Sequence, residues 1–124
     1  MYATRPSARE LTKVLQAAKV ALEEGNGAFA NFVKASSELE ELDVADHASF
    51  WKLIRAALEE ITIDDYAGSK PPQKSYEKKI EDCELFAFCW RSTIFQKQMY
   101  IKFAVEKKWY FHVSLHETRF REEG

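Results

Sequence analysis

The chain has 124 residues but only two cysteines, Cys83 and Cys89, and its apolar runs are all short. Each scarcity excludes something. On one strand the two thiols would stand ~20 Å apart, whereas bridged Cα atoms lie within about 7 Å, so they are not expected to pair with each other. Free thiols fit a reducing cytosol, and a cytoplasmic location is expected. No run approaches the ~20 apolar residues that cross a bilayer, so no membrane partner is expected. The opening MYATRPSARELTK lacks an apolar stretch and does not suggest a signal peptide. The sequence has no GxGxxG, no P-loop and no nucleophile elbow around Ser114. Internal repeats and low-complexity tracts are missing too. Charge of one sign is not in excess, and a net charge of −2 does not by itself suggest a nucleic-acid binder.

What is present is an ordinary globular composition, 46% hydrophobic and 31% charged, not that of a disordered tail. The length suits one domain over residues 1–124, large enough to bury roughly two-thirds of its unfolded surface. The charge is uneven. Residues 1–82 hold 11 Lys/Arg against 15 Asp/Glu, net −4, and residues 83–124 hold 7 against 5, net +2.

Ser7-Ala-Arg-Glu10 has capping-box spacing, and Leu11, Val14, Leu15, Ala18 and Leu22 follow as one helical stripe. Gly25-Asn26-Gly27 should end that helix. Residues 28–33 read as a short strand. Ser36-Ser37 is expected to cap an acidic helix to about Leu42. Asp43 or Asp46 should cap the next, about 47–60, with Phe50, Leu53, Ile54, Ala57, Leu58 and Ile61 inward. Residues 62–82, broken by Gly68, Pro71 and Pro72, read as a long loop, and loops of that length are often functional. Strands are expected at 84–91, 97–106 and 109–116, the last two joined tightly at Lys107-Lys108. Helices followed by a three-strand meander predict an α+β fold, with N-terminal helices packed on one face of a C-terminal antiparallel sheet.

Strict alternation puts Met99, Ile101, Phe103 and Val105 on one face of the second strand, opposite Gln98, Tyr100, Lys102 and Ala104. In the third it puts Trp109, Phe111, Val113 and Leu115 opposite Tyr110, His112, Ser114 and His116. A merely solvated face would alternate in the same way. The composition tilts the reading, because Tyr, His, Lys and Ser are the groups acid/base chemistry uses. His112 and His116 are not expected to share a metal: four residues along a strand is ~13 Å, and zinc needs each nitrogen about 2 Å away.

Several short motifs, in order, resemble the motility quorum-sensing regulator (MqsR) toxins of the RelE-like ribonuclease fold. They are ITIDDYAGSKPP (61–72), ELFAFCWRS (84–92), QMYIKF (98–103) and VSLHE (113–117). That resemblance implies the toxin of a type II toxin-antitoxin pair. Such a protein is an endoribonuclease that needs no metal or other cofactor. It cleaves messenger RNA, free or ribosome-bound, and is restrained by a cognate antitoxin protein. By the Tyr-Ile-Lys match Tyr100 takes the catalytic tyrosine position and His116 that of the terminal Lys or His. Lys102 would face the same site, and Arg91, Lys97, His112 and Lys70 would contact RNA. Histidine exchanges protons near neutrality, which suits it to act there as base or acid. The chain departs from the family at Ala87, where a glutamine is expected, and at Ala67, where a catalytic lysine is expected. Those departures keep a second reading open: a catalytically degenerate fold of the same kind that binds a protein or nucleic acid without cutting.

Overall fold

Ser7 caps the first helix as its spacing predicts. Its hydroxyl accepts from the Glu10 amide at 3.1 Å and its own amide donates to Glu10 Oε1 at 2.8 Å. In the computed structural model, which describes residues 6–68, 72–75 and 77–118, this helix is α1, Ala8–Glu23. It ends where Gly25 turns to φ +78 and the amides of Gly25 and Asn26 return to the carbonyls of Leu22 and Ala21. The buried stripe is Leu11, Leu15, Ala18, Ala21 and Leu22.

A short strand β1 (Gly27–Phe29) follows, then α2 (Phe32–Glu41) and α3 (His47–Glu60). The cap of α2 is Asn31, whose side chain accepts from the Lys34 amide, so Ser36 and Ser37 lie inside the helix and do not start it. Asp46 caps α3. Phe50, Ile54, Ala57 and Leu58 of α3, with Ile61 just beyond, are buried. Two 3-10 turns, Ile63–Asp65 and Lys78–Ile80, interrupt the long connection.

Strands β2 (Phe86–Ser92), β3 (Lys97–Glu106) and β4 (Trp109–Glu117) form the expected meander. Among the described residues, however, the sheet has four strands in the order β1-β4-β3-β2, and β1 runs parallel to β4. It is therefore mixed, not antiparallel. Residues 27–29 sit beside β4 because the chain leaves α1 through the glycine turn and can reach that edge at once. The three helices pack on one face, over Phe86, Phe88, Trp90, Met99, Ile101, Phe103, Tyr110 and Leu115. A smaller cluster on the other face joins Ile80 to Ala104 and Val113.

Each hairpin turn has its own support. At the β2–β3 turn the Glu60 carboxylate accepts from Trp90 Nε1, the Ser92 hydroxyl and the amides of Thr93 and Ile94, at 2.7–3.1 Å. Partial burial acts to raise the Glu60 pKa, but those four donors outweigh it and hold the carboxyl below its ordinary value. At the β3–β4 turn Lys107 and Lys108 both adopt positive φ, 49 and 70, and Asn26 Nδ2 donates to the Lys108 carbonyl at 3.2 Å.

Candidate functional site

The position of every polar group on β4 depends on one extra residue. Opposite β3, Phe103 pairs with His112 and Lys102 pairs with Ser114, which leaves Val113 without a partner. Such a bulge breaks strict alternation. Ahead of it Tyr110 and His112 turn toward the helices. Beyond it Leu115 takes the core position, and Ser114 and His116 turn to the other face. The expected grouping of Tyr110, His112, Ser114 and His116 on one face is thus corrected, and so is that of Trp109, Phe111, Val113 and Leu115.

His112 is wholly buried, so as it stands it cannot meet RNA. Its Nδ1 lies 3.3 Å from the Tyr110 hydroxyl and its Nε2 3.3 Å from Glu38 Oε1. That same carboxylate oxygen accepts from the Leu115 amide at 2.9 Å. β1 has ended by this point, and Glu38 supplies the acceptor that a neighbouring strand would have offered. Burial lowers the His112 pKa, only partly opposed by Glu38, and it raises that of Tyr110.

On the outer face the strands bring three predicted residues together. Tyr100 and His116 are directly paired across β3 and β4, with ring centroids 5.0 Å apart and planes at 23°. Lys102 lies two residues along, beside Ser114. Across from them on β2 are Ala87, paired with Lys102, and Cys89, paired with Tyr100. Arg91 follows on the same face by alternation and is exposed. The segment around Tyr66 and Ala67 runs along the free edge of β2, where the Ala67 amide donates to the Ala87 carbonyl at 2.8 Å.

The other predicted contacts do not join this group. Lys97 pairs with Ser92, whose side chain is on the helix side, and its ammonium lies 3.7 Å from Glu117. Strand parity puts it on the opposite face from Tyr100. Lys70 lies outside the described residues.

The chemistry of the strip can be read from its hydrogen bonds. His116 Nδ1 lies 2.8 Å from the Glu117 carbonyl. A carbonyl only accepts, so Nδ1 carries the proton, and a neutral ring keeps its lone pair on Nε2. That nitrogen can take a proton. Burial, with the neighbouring Cys89 and Tyr66, raises the Tyr100 pKa, so its hydroxyl stays a donor at neutral pH. Burial and then the nearby charge of Lys34 lower the pKa of Lys102. Lys34 carries no sequence signal of its own, because Ser36-Ser37 sets the expected start of its helix beyond it. Burial also raises the pKa of Cys89, which makes it a poor thiolate nucleophile.

Among the described residues no group of three or more His, Cys, Asp or Glu could hold a metal ion. No helix among them is long and apolar enough to cross a membrane. A concavity of about 640 Å³ between α1 and the β3–β4 turn contains none of the residues of the strip. No protein-family model, no curated protein and no solved structure matches the chain.

Proposed function

We propose that the outer strip cleaves single-stranded RNA as a metal-independent endoribonuclease, the toxin of a type II toxin-antitoxin pair with a RelE-like fold. The observation that carries this reading is the cross-strand pair of Tyr100 and His116, with the His116 lone pair fixed on Nε2. In the reaction Nε2 takes the proton of a ribose 2′-hydroxyl. The 2′-oxygen bonds to the adjacent phosphorus and the bond from phosphorus to the 5′-oxygen breaks. Tyr100 donates its proton to the departing oxygen. Lys102 stabilises the charge on the phosphoryl oxygens, and Arg91 holds a flanking phosphate. The products are a 2′,3′-cyclic phosphate and a free 5′-hydroxyl, with no outside oxidant or co-substrate. Messenger RNA, free or on the ribosome, is the substrate, and an antitoxin protein covers the strip in the resting cell.

The test is to incubate the purified chain with single-stranded RNA in chelator and to analyse the termini. Cleavage leaving cyclic phosphates is expected, and it should fall by roughly 100-fold or more in His116→Ala and by less in Tyr100→Phe. Intact RNA at micromolar protein sinks the enzyme reading. A second reading has its own support: the side chain paired with Lys102 is Ala87, buried and unable to hydrogen-bond. In that reading the strip binds RNA or a protein without cutting. RNA bound but uncut by both the wild type and His116→Ala would favour it.

A further inference from the structure

The first turn of α2 places two large apolar side chains in solvent, Phe32 at 61% exposure and Val33 at 78%. Phe32 is not loose. Its ring stacks on His47, the first residue of α3, with centroids 4.9 Å apart and planes at 20°. Ser36, one turn along α2, lies with its hydroxyl 3.3 Å from His47 Nε2 and orients that ring. Phe29 at the end of β1 supports both, edge-on to Phe32 at 6.3 Å and to His47 at 5.5 Å, and itself stacks on Trp51 at 4.5 Å. Phe32 is thus the outer end of an aromatic ladder rooted in the core.

Two lysines lie beside the same segment, and the Asp46 carboxylate is close to His47. Lys79 reaches the Phe29 carbonyl at 3.4 Å. The Ala30 amide donates to the His112 carbonyl at 2.9 Å, so the segment entering α2 runs along the edge of β4, and Lys34, two residues after Phe32, is close enough to Lys102 for its charge to act on that ammonium. A flat, pre-oriented ring with lysines beside it matches an unstacked base and its phosphates. A protein partner would more often meet an apolar groove.

The geometry points to a base-stacking subsite on Phe32 and His47 for a single-stranded RNA segment, whose phosphates pass Lys34 on the way to Lys102. It extends the ribonuclease reading by naming where a base next to the reacting phosphate rests, and it rests on that reading for the direction of the strand.

Binding and cutting can be measured apart. A fluorescent 2′-O-methyl oligonucleotide of about 12 nucleotides lies within the site sizes of such proteins and lacks the attacking hydroxyl. A probe of equal length built from abasic units carries only the phosphates. By anisotropy the wild type should bind the base-bearing probe more tightly. Phe32→Ala should weaken that binding by roughly 5- to 100-fold and leave the abasic probe unaffected. Phe32→Trp should restore it, and Phe32→Leu, apolar without a ring, should not. Equal affinity of wild type and Phe32→Ala for the base-bearing probe overturns the subsite, and so does no binding by the wild type. A Phe32-dependent interaction with no cleavage of ordinary RNA retires the nuclease while the subsite stands. Cleavage that ignores Phe32 does the reverse.

Discussion

His112 and His116 lie four residues apart on β4, yet one is sealed between sheet and helices while the other is partly open beside Tyr100. Regular alternation would have put both on one face. The unpaired Val113 between them sends the first inward and the second outward. The first half of the strand sets its imidazole between the Tyr110 hydroxyl and Glu38 Oε1 in the core. The second half sets its imidazole on the outer face, stacked on Tyr100. The same residue type is built into the core in one place and set on the outer face in the other, and a single inserted residue decides which.

Giving that residue a partner should break the comparison outright. An alanine inserted between Lys102 and Phe103 pairs with Val113 and restores strict alternation, so Leu115 and Ile101 leave fully buried positions or the strands must slide. The Leu115 amide also loses Glu38 Oε1. A lost core leucine alone costs about 2–5 kcal/mol, and total marginal stability is only about 5–15 kcal/mol. Urea denaturation and near-ultraviolet circular dichroism should show a protein that is largely unfolded at 25 °C. Wild-type stability in the insertion variant would mean that the bulge does not set the register.

Exchanging the two histidines for alanine in turn should separate their roles. His112→Ala leaves a cavity and strips partners from Tyr110 and Glu38, a cost of about 2–4 kcal/mol. His116→Ala removes a partly exposed ring and should change stability by no more than about 0.5 kcal/mol. Cleavage should respond in the opposite order, down roughly 100-fold or more in His116→Ala and nearly normal per folded molecule in His112→Ala. Equal loss of cleavage in both would show that the buried pair acts on the strip.

The pH dependence of stability gives a smaller effect with a definite sign. Burial lowers the His112 pKa in the folded protein, so below the ordinary histidine value of about 6.5 the unfolded chain binds the additional proton. Stability should therefore be complete above that value and fall as the pH drops through the window beneath it. His112→Gln should be less stable at pH 7 but show a flatter profile between about pH 7 and 5. An unchanged slope would mean that His112 takes up its proton as readily in the folded protein as in the unfolded chain.

The α+β class, the three helices and the hairpin strands were legible because capping residues and periodicity are local signals, as at Ser7 and Asp46. The gathering of Tyr100, Lys102 and His116 was legible because Tyr100 and Lys102 share a strand parity, and the bulge happened to preserve the facing of His116. What failed was nonlocal. Nothing near Val113 announces a bulge, since it arises from fitting Leu115 into the core and the Leu115 amide onto Glu38, 77 residues away. The parallel pairing of β1 depends on a partner more than 80 residues later. Asn31 is hidden as a cap because Ser36-Ser37 offers the same chemistry five residues on. Charge alone draws Lys97 into the site, and its strand parity takes it out.

The smallest effect sharpens the comparison from the other end of β4. Two-residue hairpins with both φ positive favour Asn-Gly, since a side chain on Cβ crowds the backbone there. Lys107 and Lys108 occupy those positions at φ 49 and 70. The double substitution Lys107→Asn with Lys108→Gly should stabilise the protein by about 1 kcal/mol, a rise of roughly 4 °C in Tm for a chain of this size. The backbone carbonyl of the second turn position remains available to Asn26. The turn fixes where β4 begins, and the bulge fixes which way its second half faces. Greater stability with unchanged RNA cleavage is therefore expected, as differential scanning calorimetry and a cleavage assay on the same preparation would show. Altered cleavage would place control of His116 at the turn that precedes β4 and remove Val113 from that role.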